Sequence, residues 1–274
     1  MKTLSGISQI LFNRFYCIFR TLPCVFCTLA IASSVSAQET DNAMLKYGLN
    51  FLKTPYVAHT LEVNEEEKLV VNFDEVDCTT FVEYVLALAL SPVKNGTIDN
   101  ADYARTLQSI RYRDGKINGY TSRLHYIADW VNNGVRHGFM EDITAANSPN
   151  TVRLSLNFMS THPKAYKHLE SPENISKIEE IEKSLSGQLF HYIPKNKLPD
   201  EGFGWIKDSD IIAITTNIPG LDVVHLGLAC YEKGVLKLLH ASSTQKMVVV
   251  SQKTLAQMLK RNKKFTGIRV LRIK

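Results

Sequence analysis

The fold of this chain is decided by Val76-Asp77-Cys78-Thr79-Thr80-Phe81 and the apolar residues that continue from it to Leu90. Asp77 is a good helix cap, because its carboxylate accepts hydrogen bonds from the unpaired N–H groups of the first turn. Cys78 then takes the first helical position, where backbone donors and the positive end of the helix dipole favour a thiolate. Between Phe81 and Leu90 only Glu83 is charged, which predicts a helix buried on nearly all sides. The stretch therefore predicts a central buried helix that presents a cysteine at a surface groove.

Residues 1–37 are predicted to form a secretory signal peptide. Three basic residues precede an apolar run at 21–32, and Val35-Ser36-Ala37 supplies the small residues of a cleavage site. We therefore expect an exported protein, periplasmic or secreted, with no stable membrane insertion once the signal is removed. Cleavage removes those three positive charges and lowers the formal net charge from +5 to +2, so the composition indicates no nucleic-acid partner.

Two of the five cysteines, Cys78 and Cys230, lie beyond the signal peptide. In an exported protein two cysteines are compatible with one disulfide. A buried free cysteine is also commonly a small apolar core residue. Residues 76–90 alone therefore leave a structural Cys78 and a reactive Cys78 equally open.

The pattern of apolar residues predicts an α+β fold, with a helix-rich N-terminal half followed by an antiparallel meander. Residues 38–274 are expected to form a single domain, with a helical insert at about 95–200. The helices are predicted at 41–53, from residue 78, at 99–110, 121–133, 172–185 and 254–260. The strands are predicted at 61–63, 69–73, 211–215, 223–230, 235–240, 247–250 and 267–273.

Two histidines of the meander complete a candidate catalytic group with Cys78. Cysteine hydrolases need a thiolate, an imidazole that pairs with it, and a third polar group that orients the ring. His225 lies within one predicted strand, and His240 ends the next strand of the same hairpin. Because side chains alternate along a strand, His225 and Gly227 share one face and Cys230 points to the other. The small residue leaves room beside His225 for a substrate or for the buried helix, and Cys230 is then ordinary core.

The same three side chains allow a second interpretation. One cysteine and two histidines are ligands that suit a catalytic zinc ion. A cysteine at the first position of a helix suits a nucleophile better than a metal ligand, so the thiol mechanism is preferred and no metal is predicted.

Short motifs that occur in order along the chain carry a family resemblance. Thr54-Pro55-Tyr56, residues 77–81, His225-Leu226-Gly227-Leu228-Ala229 and His240-Ala241-Ser242 together resemble the NlpC-type papain-like cysteine peptidases that cut bacterial peptidoglycan. The closer similarity is to their N-acetylmuramoyl-L-alanine amidase-like branch, and it covers roughly residues 42–273. The segments that carry it are Val76 to Glu83, Arg111-Tyr112-Arg113-Asp114-Gly115 and Tyr120-Thr121-Ser122-Arg123-Leu124-His125-Tyr126.

The resemblance implies that residues 38–274 are a single catalytic domain with a papain-like NlpC-type fold and no cofactor. It makes Cys78 the nucleophile, His225 the base and acid, and His240 the orienting group. Tyr56 is expected in the site with its hydroxyl near the thiolate, and Asp77 is placed beside it among the substrate-binding residues. The family usually has a small residue where this chain has Thr79, which alters the expected shape of the pocket.

Tyr120, Arg123 and His125 are the predicted sugar-binding residues. Arg123 and His125 could hydrogen-bond acetamido or lactyl oxygens, but residues at such positions on a helix are often merely surface residues.

The implied activity is cleavage of the amide between the lactyl group of N-acetylmuramic acid, including its 1,6-anhydro form, and L-alanine in murein peptides. Two alternatives stay open at this level. One is an endopeptidase of the same superfamily that cuts within the stem peptide. The other is a non-catalytic module that binds muropeptides. In each case peptidoglycan fragments are the expected partners.

Overall fold

The computed structural model of the chain describes residues 35–274, with side chains described from residue 43 onward. Within this range the helices are α1 (Val35–Asn50), α2 (Cys78–Leu90), α3 (Asn100–Arg111), α4 (Ile127–Arg136), α5 (Thr144–Asn147), α6 (Phe158–Thr161), α7 (Pro172–Leu185) and α8 (Leu255–Arg261). The strands are β1 (Val93–Lys94), β2 (Thr97–Ile98), β3 (Met140–Asp142), β4 (Thr151–Arg153), β5 (Leu189–His191), β6 (Ile193–Pro194), β7 (Ile211–Thr216), β8 (Val223–Glu232), β9 (Val235–Ser242), β10 (Met247–Val250) and β11 (Phe265–Ile273).

The main sheet has seven strands in the order β10-β9-β8-β7-β11-β3, with β6 also paired to β11. Every pairing in it is antiparallel. The α+β class predicted from the sequence is therefore confirmed, with the helices concentrated before the meander.

Helix α2 lies at the centre of the larger apolar core. Its residues from Thr80 to Leu88 are all buried, as the apolar run predicts. The side chains of Leu226, Leu228 and Leu239 belong to the same core, so one face of the sheet packs against α2. The opposite face carries Ala229 and packs against α8 in a second core. A third apolar cluster is formed by residues between Tyr120 and Phe190.

The predicted strands at 61–63 and 69–73 are wrong, because residues 57–75 form turns and irregular backbone. Side chains from distant parts of the chain form some of the backbone hydrogen bonds that a neighbouring strand would otherwise provide. Arg111 donates to the carbonyl oxygen of Val70 at 2.6 Å, and the Tyr84 hydroxyl accepts from the N–H of Asn72 at 3.0 Å. Strand pairing is unnecessary once such partners are available.

Two predicted helices also have different bounds in the structure. The helix expected at 121–133 begins at Ile127. The residues before it form a 3₁₀ turn at Tyr120–Ser122 followed by extended backbone. The helix expected at 41–53 begins earlier, at Val35, and ends at Asn50.

No helix within residues 35–274 has the length and apolar character needed to cross a bilayer. Most of the predicted signal peptide, residues 1–34, lies outside the described residues, so that assignment stays a prediction.

Candidate active site

Cys78 is the first residue of α2, and the predicted cap is present. Asp77 Oδ1 accepts hydrogen bonds from the backbone N–H groups of Thr79 at 3.0 Å and Thr80 at 2.8 Å. Thr80 Oγ1 in turn accepts from the N–H of Asp77 at 2.8 Å, which completes a reciprocal capping box. The backbone direction at Cys78 is therefore set by local bonds within four residues. Asp77, predicted among the substrate-binding residues, has its Oδ1 engaged in this cap.

The two predicted histidines meet on one face of the β8–β9 hairpin. Leu228 pairs with Leu239, and His225 and His240 lie on the strand face that Leu238 also occupies. His225 Nε2 and His240 Nδ1 are 2.6 Å apart, and the rings meet edge to face at an interplanar angle of 89°. Alternation along the hairpin thus brings together the two imidazoles that the sequence pattern selects.

Gly227 lies between the histidines in the hairpin and leaves no room for a side chain. A Cβ atom added there would lie 2.8 Å from Leu238 Cγ and 2.9 Å from the Leu239 carbonyl oxygen. The small residue predicted to make room beside His225 is therefore needed for close packing of the hairpin itself.

The thiol of Cys78 lies against the backbone next to His225. The backbone of Leu226 and the side chain of Thr79 both hydrogen-bond the sulfur. No hydrogen bond joins the sulfur to either imidazole within residues 35–274. The structure therefore brings the two histidines together and places the thiol beside the residue that follows His225.

The sequence allowed helix α2 to pack on the face of β8 that carries His225. In the structure α2 packs on the other face of this strand. Cys230 is buried in the same core as Phe81 and Leu228, and Ala229 belongs to the other core. Cys230 is a buried core residue, as predicted. It lies on the face of β8 that contacts helix α2. Cys78 and Cys230 are both free thiols, so the disulfide interpretation is wrong for this structure.

The thiol and both imidazoles are neutral near pH 7. Burial, followed by the nearby Asp77 carboxylate, raises the pKa of Cys78 to about 12, and the bonds from Leu226 and Thr79 only partly oppose this. Burial, followed by the charge of His240, lowers the pKa of His225 to about 3. Burial lowers the pKa of His240 to about 4. The helix-end thiolate expected from the sequence is therefore not the resting form, because desolvation exceeds the stabilisation at the N-terminus.

Tyr56 lies near enough to Cys78 for the charge of a thiolate to act on its hydroxyl, and its role in the site stays a prediction. It forms a parallel bridge with Val76, and its N–H donates to the carbonyl oxygen of Lys246 at 2.9 Å. Burial and then the charges of Cys78 and Asp77 raise the pKa of its hydroxyl to about 12. Tyr56 can therefore act only as a neutral hydroxyl at physiological pH, either donating or accepting a hydrogen bond.

The three predicted sugar-binding residues contact one another. The guanidinium of Arg123 lies over the Tyr120 ring, 5.0 Å from its centroid, and the His125 ring lies 4.5 Å from the same ring. His125 Nε2 pairs with the carbonyl oxygen of Tyr120 at 3.0 Å, and all three guanidinium nitrogens of Arg123 donate to Glu62 or Glu67. The Arg123 guanidinium and His125 Nε2 are thus engaged inside the protein, and the binding of a sugar by these three residues stays a prediction.

Sequence reasoning missed the other residues around the two histidines. A cavity of about 360 Å³ adjoins the pair, and its lining is mainly hydroxyl and amide side chains above Met258 and Phe265. Its further lining residues are Ser242, Ser243, Thr244, Gln245, Ser251, Gln252, Lys253 and Asn262. The motif around His240 extends to Ser242 and was the one available signal for this cavity, because the rest of the lining is assembled by the sheet and α8.

A metal site receives no support from the geometry. Within residues 35–274 no group of three or more histidine, cysteine, aspartate or glutamate side chains is arranged to hold a metal ion.

Comparison with known proteins places the chain in a family. The model of the N-acetylmuramoyl-L-alanine amidase-like family matches residues 46–268. A crystal structure of an N-acetylmuramoyl-L-alanine amidase from Bacteroides uniformis is 62% identical, with a TM-score of 0.84, over 85% of this chain and 99% of that chain. A structure from Bacteroides fragilis, named provisionally as a xylanase, is 60% identical, with a TM-score of 0.81, over 83% of this chain and 99% of that one.

A Legionella pneumophila protein shares the fold at 22% identity, with a TM-score of 0.67, over 85% of this chain and 89% of that one. No curated protein matches the chain. The family match spans most of the described residues, including Cys78, His225 and His240. The chain is a member of the N-acetylmuramoyl-L-alanine amidase-like family.

Proposed function

We propose that the protein is an exported, thiol-dependent N-acetylmuramoyl-L-alanine amidase with a papain-like NlpC-type site, in which Cys78 is the nucleophile. The observation that carries this proposal is the 2.6 Å contact between His225 Nε2 and His240 Nδ1, with the helix-N-terminal thiol of Cys78 bonded to the backbone of Leu226, the residue after His225. Membership of the amidase-like family supports a peptidoglycan substrate. The bond cleaved is the amide that joins the lactyl group of (1,6-anhydro-)N-acetylmuramic acid to L-alanine.

The contact between the two rings couples their protonation states, because only one of the two facing nitrogens carries the shared proton. If His225 Nε2–H donates to His240 Nδ1, then His225 Nδ1 is the free acceptor and His240 carries its proton on Nε2. Because the thiol and imidazole rest neutral, His225 Nδ1 takes the proton as the sulfur attacks rather than beforehand. His240 orients the ring and shares the positive charge that develops on it.

The acyl transfer then proceeds in two steps. The sulfur of Cys78 bonds to the lactyl carbonyl carbon, and the backbone N–H of Cys78 is a donor for the oxyanion that forms there. The C–N bond breaks, and the L-alanine nitrogen leaves with the proton held on His225. Water, deprotonated by the same imidazole, hydrolyses the thioester and releases the lactyl carboxylate.

Glycoside hydrolysis, which the name of the Bacteroides fragilis relative suggests for that protein, would need two carboxylates across the scissile bond. The residues that line the cavity beside His225 include no aspartate or glutamate, while Lys253 is the charged residue among them. The cavity beside the two histidines therefore offers no pair of carboxylates for glycoside cleavage.

The experiment is mass spectrometry of a defined 1,6-anhydro-muropeptide after incubation with the purified protein. An amidase releases the whole stem peptide from the sugar, whereas an endopeptidase releases a sugar that still carries a dipeptide. Intact substrate that binds without turnover would indicate a muropeptide-binding module.

Two variants and a chelator test the thiol mechanism in the same assay. We expect Cys78→Ala to abolish turnover and Cys230→Ala, the matched removal of the other free thiol, to retain it. Activity that survives alkylation of Cys78 but is lost with a chelator would overturn the thiol mechanism in favour of a metal.

A further inference from the structure

Residues 57–75 form a closed loop whose two ends meet at the candidate site. The chain leaves from Tyr56 and returns at Val76, and these two residues bridge each other. Val57 N–H donates to the Val76 carbonyl oxygen and Val76 N–H donates to the Pro55 carbonyl oxygen, each at 3.0 Å. A long segment without helix or strand inside a domain is commonly functional. The base of this loop holds Tyr56 and the start of α2 independently of its outer part.

The outer part of the loop is held by Arg123. Its Nε and Nη2 donate to the two carboxylate oxygens of Glu67 at 3.0 and 2.6 Å, a bidentate pair. Its Nη1 donates to Glu62 Oε1 at 2.7 Å. The side chains of Arg123, Glu62 and Glu67 are 9%, 13% and 5% exposed. We call these three residues the clamp.

Other residues of the insert reach the same part of the loop. The Tyr112 hydroxyl donates to Glu67 Oε1 at 2.6 Å, and Lys167 Nζ donates to the Glu62 carbonyl oxygen at 3.0 Å. His168 Nε2 lies 3.4 Å from Glu62 Oε2. The loop and the insert together line a cleft of about 450 Å³ that includes Glu67. The helical insert thus fixes one wall of this cleft through the loop.

We propose that Arg123 is a positioning residue that holds loop 57–75 as a wall of the substrate groove, and so sets KM rather than kcat; this rests on the proposed amidase function. The thiol is positioned by the Asp77 cap and Tyr56 by the bridge to Val76, and neither depends on the clamp. Without the clamp, the outer loop has to be ordered when substrate binds. The apparent affinity is then the intrinsic affinity multiplied by the fraction of molecules in which the loop is already ordered.

The first test is amide hydrogen exchange over loop 57–75, which needs no turnover. Arg123→Met alone leaves two buried carboxylates without their cation and can unfold the domain. The main variant is therefore Arg123→Met with Glu62→Gln and Glu67→Gln, which removes the clamp and its charges together. We expect exchange in the loop to accelerate at least about tenfold. Unchanged exchange would overturn the proposal.

The matched control is Arg269→Met. Arg269 is as buried as Arg123, pairs with Asp142 at 2.7 Å and lies over the Phe190 ring, but it has no bond to the loop. It should lower stability and leave loop exchange as in the wild type. If loop 57–75 exchanges as fast in Arg269→Met as in the clamp variant, the faster exchange reflects general destabilisation of the domain. That result would contradict the proposed role of the clamp.

Kinetics on the defined muropeptide supply the second test. We expect KM to rise about tenfold in the clamp variant, with kcat changed by no more than about twofold. Arg123→Lys keeps the positive charge but loses the bidentate geometry, so its KM should lie between those of the wild type and the clamp variant. A fall in kcat at unchanged KM would overturn the positioning role. If the wild type turns over no murein peptide, the proposed function fails, while the exchange measurement still decides whether the clamp holds the loop.

Discussion

Replacing Asp77 by asparagine separates the two effects that this residue has on Cys78. As a cap, Asp77 Oδ1 accepts from the N–H groups of Thr79 and Thr80 and from the Thr80 hydroxyl at 2.9 Å. As a charge, its carboxylate raises the pKa of the Cys78 thiol. Asparagine caps helices as well as aspartate but carries no charge. Asp77→Asn should therefore keep the helix start and change the thiol.

The stability effect follows from the three bonds to Oδ1. Asp77→Ala removes this acceptor and should cost about 1–2 kcal/mol, whereas Asp77→Asn should cost no more than a few tenths. For a domain of this size that corresponds to a Tm lower by roughly 2–8 °C for the alanine variant alone. Urea or thermal unfolding monitored by circular dichroism measures both values.

The effect on the thiol has a definite direction and bounds. Removing the Asp77 carboxylate should lower the pKa of Cys78, but burial is the larger cause and remains. The new pKa should therefore lie between the ordinary 9.0 and the present value of about 12. The pH dependence of alkylation by iodoacetamide measures it, with Cys78→Ser as the blank for the buried Cys230.

Two outcomes would refute this reasoning. An alkylation midpoint in Asp77→Asn that stays the same or rises would show that the carboxylate does not act on the thiol. An asparagine variant that loses as much stability as the alanine variant would show that the charge, rather than the cap, stabilises the start of α2.

Three further predictions follow from buried groups of the same core and site. His240→Ala should lower kcat about a hundredfold or more with little change in KM, because the His225 ring loses its orienting partner; an unchanged kcat in steady-state kinetics would contradict this. The free energy of unfolding, measured in urea, should fall as pH falls from about 6.5 towards 4, because the unfolded chain binds protons that the desolvated His225 and His240 rings do not. If a variant lacking both rings shows the same slope of stability against pH as the wild type, this explanation is wrong. Arg111→Met should lower the free energy of unfolding, measured in urea, by about 3–5 kcal/mol, because the Glu83 carboxylate, which is 3% exposed, loses its partner at 2.7 Å. The double variant Arg111→Met with Glu83→Gln should recover most of this stability.

Local chemistry explains what could be predicted of the candidate site. The Asp77 cap and the start of α2 depend on atoms within four residues, so residue types alone indicate them. The meeting of His225 and His240 depends on strand alternation and on a tight turn at Lys233 and Gly234, both with positive φ, which sets the register of the hairpin. These features have short sequence range and strict geometry, and they were predicted correctly.

The positions of Arg111 and Arg123 could not be predicted from their motifs. Both belong to segments that mark the family, and Arg123 was expected to bind sugar. In the structure Arg111 is fully buried against Glu83, and Arg123 bonds carboxylates 56 and 61 residues earlier in the chain. The predicted strands at 61–63 and 69–73 failed for the same reason, because remote side chains satisfy that loop.

The sequence by itself determined which residues could do the chemistry: a capped cysteine at the head of an apolar helix and two histidines on one face of a hairpin. Only the tertiary structure decided their electrostatic state and surroundings. The thiol rests protonated because burial raises its pKa more than the helix end lowers it, and burial depends on every element that packs around α2. Loop 57–75 is likewise bonded to Arg123 through Glu62 and Glu67, which folding, rather than proximity in the chain, brings to it.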